Sequence, residues 1–279
     1  MKKLILALVA VSTIGTLSAQ KKEKEVKYEK IFYKDLKVEN SDVTIVVDNA
    51  ISTDAETKFK LKIVNKTSDF LIYKPEESKF IIDGKEMKPT EKWKIINPNS
   101  DNFVTVNIKG AYNKVKSYSY VLDGLYKVSA NGKIVEAENF RLPLTKNDFK
   151  AGDFAVKVNK LYKESDATHL KLDVTYSGNQ MGIVFPDKAA AKLPDGNDYA
   201  TVKSGGLLSK DGPILLKKGQ TESITLNWDR MEGGRAMDMQ KVEMIVKFNG
   251  TFTEAMPDKM KSETLNMEFD EVMSNEKGK

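Results

Sequence analysis

The chain has no cysteine, which excludes disulfides, cysteine-ligated zinc, iron–sulfur clusters and thiol nucleophiles at once. It has one histidine, His169, so multi-histidine metal sites are out and imidazole acid–base chemistry has almost no material. Arginine is nearly missing as well: Arg141, Arg230 and Arg235 stand among 45 basic residues. Nucleic-acid readout relies heavily on bidentate guanidinium forks, so a chain whose charge is almost all lysine argues against such a partner. There is no Walker loop, dinucleotide fingerprint, Gly-x-Ser-x-Gly elbow or calcium-loop spacing, and the pairs Gly205-Gly206 and Gly233-Gly234 read as loops. No cofactor and no metal site are expected. What remains is an ordinary balance, 40% hydrophobic and 30% charged over 279 residues with net charge +5, enough for about two domains.

Long apolar runs are also rare, with one exception at the start. Met1-Lys2-Lys3 precedes an apolar stretch from Leu4 to Leu17, and Leu17-Ser18-Ala19 offers a small residue for cleavage before Gln20. This is the three-part pattern of a secretory signal peptide over residues 1–19, short for a membrane span. A lipoprotein signal would need cysteine where Gln20 stands, so no lipid anchor is expected. The protein is expected to be periplasmic or extracellular. Residues 20–40, rich in Lys and Glu, read as a tether, and residues 271–279 as a flexible tail.

The rest of the chain holds one pattern twice. Val43–Val47 corresponds to Phe154–Val158, Phe59–Ile63 to Leu170–Val174, and Pro75 to Pro186, all at a shift of 111 residues. Asp83-Gly84 meets Asp195-Gly196 at 112, and Val104–Asn107 meets Ile224–Asn227 at 120. Val121–Gly124 meets Lys247–Gly250 at 126, and Phe140–Leu144 meets Leu265–Phe269 at 125. Seven ordered matches with a slowly drifting shift indicate duplicated domains. Each matched segment alternates apolar and polar residues, the period of a half-buried strand. Asp-Gly and Asn-Gly pairs at 83–84, 123–124, 131–132, 195–196 and 249–250 signal tight turns. No capped helical period appears beyond a weak one near Asp187–Lys192. The expected fold is all-β: two tandem immunoglobulin-like antiparallel β-sandwich domains over 41–146 and 151–270, the break falling near Lys146–Gly152.

The strand–Pro–Asp-Gly–strand layout behind a signal peptide resembles the uncharacterised immunoglobulin-like domains of bacterial secreted proteins, here in tandem. The resemblance spans roughly residues 40–270 and rests on architecture and spacing. It implies extracytoplasmic binding or assembly work and carries over no catalytic residue.

Four groups of residues invite a chemical reading. His169, alone at a strand entrance, reads as a surface or packing residue. Met237-x-Met239 and Met256…Met260 supply soft thioethers that suit Cu(I), but without nearby His or Cys they read as apolar contacts. Tyr118 and Tyr120 share a strand face, with Tyr112 and Tyr126 beside them; core packing is the usual fate of such a row, and an exposed one would stack on sugars. The second copy departs from the first in two places: an insertion within Val202–Leu216 carrying Leu207 and Leu208, and a segment holding Trp228, Arg230, Arg235, Met237 and Met239. Loops on a rigid sandwich carry recognition, and Trp, Arg and Met favour interface cores. These seven residues are the expected binding surface of a non-enzymatic binding or assembly protein for another envelope protein. A carbohydrate-binding module and a carboxylate-based hydrolase are the alternatives.

Overall fold

A computed structural model describes residues 27–203, 212–230 and 238–279. Among the described residues strands make up 55% and helices 5%, and every pairing between strands is antiparallel, so the all-β sandwich expectation holds. Among the described residues no helix is long and apolar enough to cross a membrane.

The first sandwich sets one sheet, built on Val43–Ser52, Glu56–Asn65 and Asp101–Lys109, against a second face. That opposing face consists of Lys79–Ile82, Ser117–Leu122 and Glu263–Glu268, continued past short breaks by Phe70–Tyr73, Leu125–Val128 and Pro257–Lys259. Alternation does what it must. Phe59, Leu61 and Ile63 point inward to meet Phe80, Tyr120 and Leu265, while Lys58, Lys60 and Lys62 point outward. The second sandwich repeats the plan: Phe154–Lys163, Ala167–Tyr176 and Thr221–Asp229 pack through Leu170, Leu172 and Leu226 on Ala191, Val246 and Phe252.

The last strands of the two copies are exchanged. Phe140–Leu142, which closes the first repeat in sequence, pairs with Met244–Lys247 of the second sandwich, and Lys133–Val135 pairs with Phe252–Ala255. Reciprocally, Glu263–Glu268 closes the second repeat in sequence and pairs with Ser117–Leu122 of the first sandwich. The sequence limits 41–146 and 151–270 therefore describe repeat units whose end strands lie in each other's sheets. A third core joins the two bodies, formed by Phe70, Ile72 and Val128 against Met181, Ile183 and Leu215. Phe70–Tyr73 and Met181–Val184 are thus buried on both faces, which explains their uninterrupted apolar sequences.

Several local expectations need correction. The tether ends early: Ile31–Phe32 and Leu36–Glu39 both pair with Val43–Ser52, and Ile31 and Tyr33 are core residues. The tail is ordered as a helix, Glu271–Lys277, capped by the Asp270 side chain. Buried Ser274 accepts a hydrogen bond from the Phe32 amide at 2.9 Å, so the helix ties down the first strand. The expected interdomain break near Lys146–Gly152 contains Asp148–Ala151, an edge strand of the second sandwich that pairs with Phe154–Lys163. Near Asp187 the helical signal resolves to a single 3₁₀ turn, Pro186–Lys188, matched by Pro75–Glu77. Of the Asx-Gly pairs, Asp83-Gly84 makes the two-residue hairpin, with φ of 50° and 74°. Asp123-Gly124 and Asn249-Gly250 instead break strands that continue in place.

Candidate functional site

Trp228 and Met239, expected at the binding surface, are 2% and 1% exposed and belong to the second core. Parity is the reason: Asn227 and Asp229 line the outer face, so the residue between them must point inward. Arg230 is exposed, where the strand ends. Leu207, Leu208, Arg235 and Met237 lie outside the described residues. The end of the insertion, Ile214–Leu216, is a strand paired with Met181–Val184, just as Lys94–Ile96 pairs with Phe70–Tyr73 in the first copy.

A concavity of about 610 Å³ lies on the outer face of the second sandwich. The pairing sets Tyr162, His169 and Asn227 abreast on three neighbouring strands. His169 Nδ1 is 2.7 Å from Asn227 Oδ1, so an amide holds the imidazole in place. Tyr162 is 46% exposed, with the Lys160 ammonium 4.1 Å from its ring centre. Lys171, Lys203, Glu164 and Asp229 complete the walls with charges of both signs. The same face runs on to a second concavity around Lys157, Asp173, Thr175 and Thr221. From His169 to Thr175 the strand extends about 20 Å at ~3.3 Å per residue. Asp173 accepts from Ser223 at 2.5 Å and Asn159 at 2.8 Å, and these bonds hold its carboxyl below the usual carboxylate range.

The first copy closes the corresponding place. Asn107, the counterpart of Asn227, gives its backbone and side-chain N–H groups to Glu91 Oε1 at 2.9 and 2.7 Å. Lys58, the counterpart of His169, pairs with Glu56 at 2.6 Å, and Lys62 pairs with Asp101 at 3.0 Å. One face is consumed by its own contacts. The other carries the concavity beside Tyr162 and His169.

Other candidates resolve differently. Tyr118 and Tyr120 share the core face, the usual fate of such a row, and Tyr120 packs 5.0 Å from Phe59. Met239 and Met260 pack against different cores and do not converge on one ion. Among the described residues no group of three His, Asp or Glu side chains is placed to hold a metal. Sequence reasoning missed Tyr162. Tyr162 turns outward because a register shift between Val158 and Lys160 resets the alternation of its strand, and alternation alone hides such a shift. No known protein-family model matches the chain, and no curated protein matches it in sequence.

Proposed function

We propose that this is an exported, non-enzymatic binding or assembly protein that engages another envelope protein through the open face and adjoining loops of its second sandwich. The observation that carries the reading is the concavity beside the exposed Tyr162 ring and the His169 imidazole. The groove combines an exposed aromatic ring with mixed charges on rigid strands, a composition suited to a protein surface. Export rests on the signal-peptide pattern of residues 1–19, and secreted material then begins at Gln20 by intact mass.

A photo-activated phenylalanine analogue placed at Tyr162, with Phe103 on the first sandwich as control, tests the site in cells. Phe103 is 56% exposed on the corresponding face. One discrete adduct from position 162 and none from position 103 is the expected outcome. Equal adducts from both positions, or none from 162, refute the assignment.

A further inference from the structure

A concavity of about 480 Å³ lies where the two bodies meet and is built from both. One wall is the Pro89–Trp93 connection with Glu76, and the other is Lys217, directly after the strand Ile214–Leu216. Pockets between domains are frequent ligand sites, and this volume falls in their usual range of roughly 300–1,000 Å³. Trp93 is 37% exposed, in contrast to buried Trp228. Its indole N–H donates to the Glu76 carboxylate, which fixes the plane of the ring. Lys74 Nζ lies 4.5 Å from the ring centre and Lys217 Nζ 5.6 Å. Lys74 is itself pinned, 4.2 Å over Tyr126 and 3.6 Å from Glu77. Lys217 is exposed and sits at the farther distance, so its ammonium is placed to bond the hydroxyls of a ligand on the ring.

The floor is equally prepared. Glu91 Oε1 is held by Asn107, which anchors the connection, while Glu91 Oε2 is buried without a donor. Charge decides the ligand class. Glu76 and Glu91 balance Lys92 and Lys217, so no net field selects an anion or a cation. An oriented indole face ringed by alternating donors and acceptors matches a neutral polyhydroxylated ring, whose C–H groups meet the π face while its hydroxyls bond the rim.

We infer that this crevice is a saccharide-binding site, with a sugar ring stacked on Trp93 and its hydroxyls bonded by Glu76, Lys92 and Lys217. It shares no lining residue with the groove of the second sandwich and stands apart from the protein-partner reading. Because Lys217 comes from the opposite body, the third core that docks the two bodies also assembles the site.

The two tryptophans make the test direct: Trp93 reports the crevice and buried Trp228 serves as a steady reference. The full chain is titrated with maltose, cellobiose and N,N′-diacetylchitobiose, following tryptophan emission and calorimetric heat. At least one disaccharide gives a saturable emission change with Kd below about 10 mM. Trp93→Ala and Lys217→Ala each weaken that binding about tenfold, whereas Tyr162→Ala leaves it unchanged. Lys217 is exposed, so its variant keeps the fold and decides the matter if Trp93→Ala does not fold. Absence of saturation with all three sugars overturns the inference, as does undiminished affinity in Lys217→Ala. Loss of the Tyr162 cross-link with sugar binding intact sinks only the protein-partner reading.

Discussion

Replacing Leu265 with alanine should loosen the sandwich that is distant from it in sequence. Leu265 is fully buried opposite Tyr120, whose ring packs 5.0 Å from both Phe59 and Phe80. Truncation there leaves a cavity among aromatic rings that cannot collapse freely, and costs about 3 kcal/mol within the 2–5 usual for such changes. At ~1.4 kcal/mol per decade, amides that exchange through opening of this body lose about a hundredfold in protection. Hydrogen exchange read by mass spectrometry should place that loss in Lys79–Ile82 and Ser117–Leu122. The third core passes part of the strain onward, so Phe154–Lys163 should respond less. Phe140→Ala is the reciprocal experiment: Phe140 closes the first repeat yet pairs with Val246 and packs 5.5 Å from Phe149 in the second sandwich, and its loss should open Met244–Lys247. If Leu265→Ala exposes the second sandwich and leaves Ser117–Leu122 protected, the strand exchange is wrong.

Three further outcomes follow from the same structure. Gly124→Ala brings a Cβ within 1.9 Å of the Lys74 carbonyl oxygen, so backbone must move and stability should fall by more than about 2 kcal/mol in denaturant. Gly84→Ala meets open space and costs only about 1 kcal/mol, from its φ of +74°. Burial pushes Tyr33 up to about 12 and Tyr118 well above its ordinary value, so folding favours the neutral phenols. That stability is complete below pH 10 and is lost as pH rises through about 12; late, cooperative phenolate absorbance with loss of circular dichroism is expected, and early non-cooperative titration contradicts it. Glu56, held at about 2 by hydrogen bonds from Lys109 and Lys58, contributes stability above its ordinary 4.5 that disappears as pH falls toward 2. The Lys109 side chain is largely exposed, so the effect is small and salt-sensitive, and Glu56→Gln should flatten the acid slope.

The groove shows why a working surface is harder to read than a fold. Trp228 looked like an anchor because tryptophan favours interfaces, but one position of strand parity sends it inward and gives the outer face to Asn227 and Asp229. Tyr162, His169 and Asn227 lie 7 and 58 residues apart along the chain, and only pairing across three strands sets them side by side. Trp93 gains its significance from Lys217, a residue of the other repeat.

The sequence by itself determined the strands, the duplication and the inward rows, because these depend on local alternation and on side chains within a few residues. Asp83-Gly84 declared its hairpin for the same reason, since both φ values are local properties. Only the tertiary structure decided which sandwich receives each closing strand. Phe140–Leu142 and Glu263–Glu268 present the same alternating row of buried and exposed side chains, so either sheet could accept either strand locally. The choice rests on where the chain stands after Val128 and Ala255, at the docked faces of Phe70, Ile72, Met181 and Ile183. From that position the partner sheet is within immediate reach, and a preference of that kind is written in the packing of the whole rather than in any one segment.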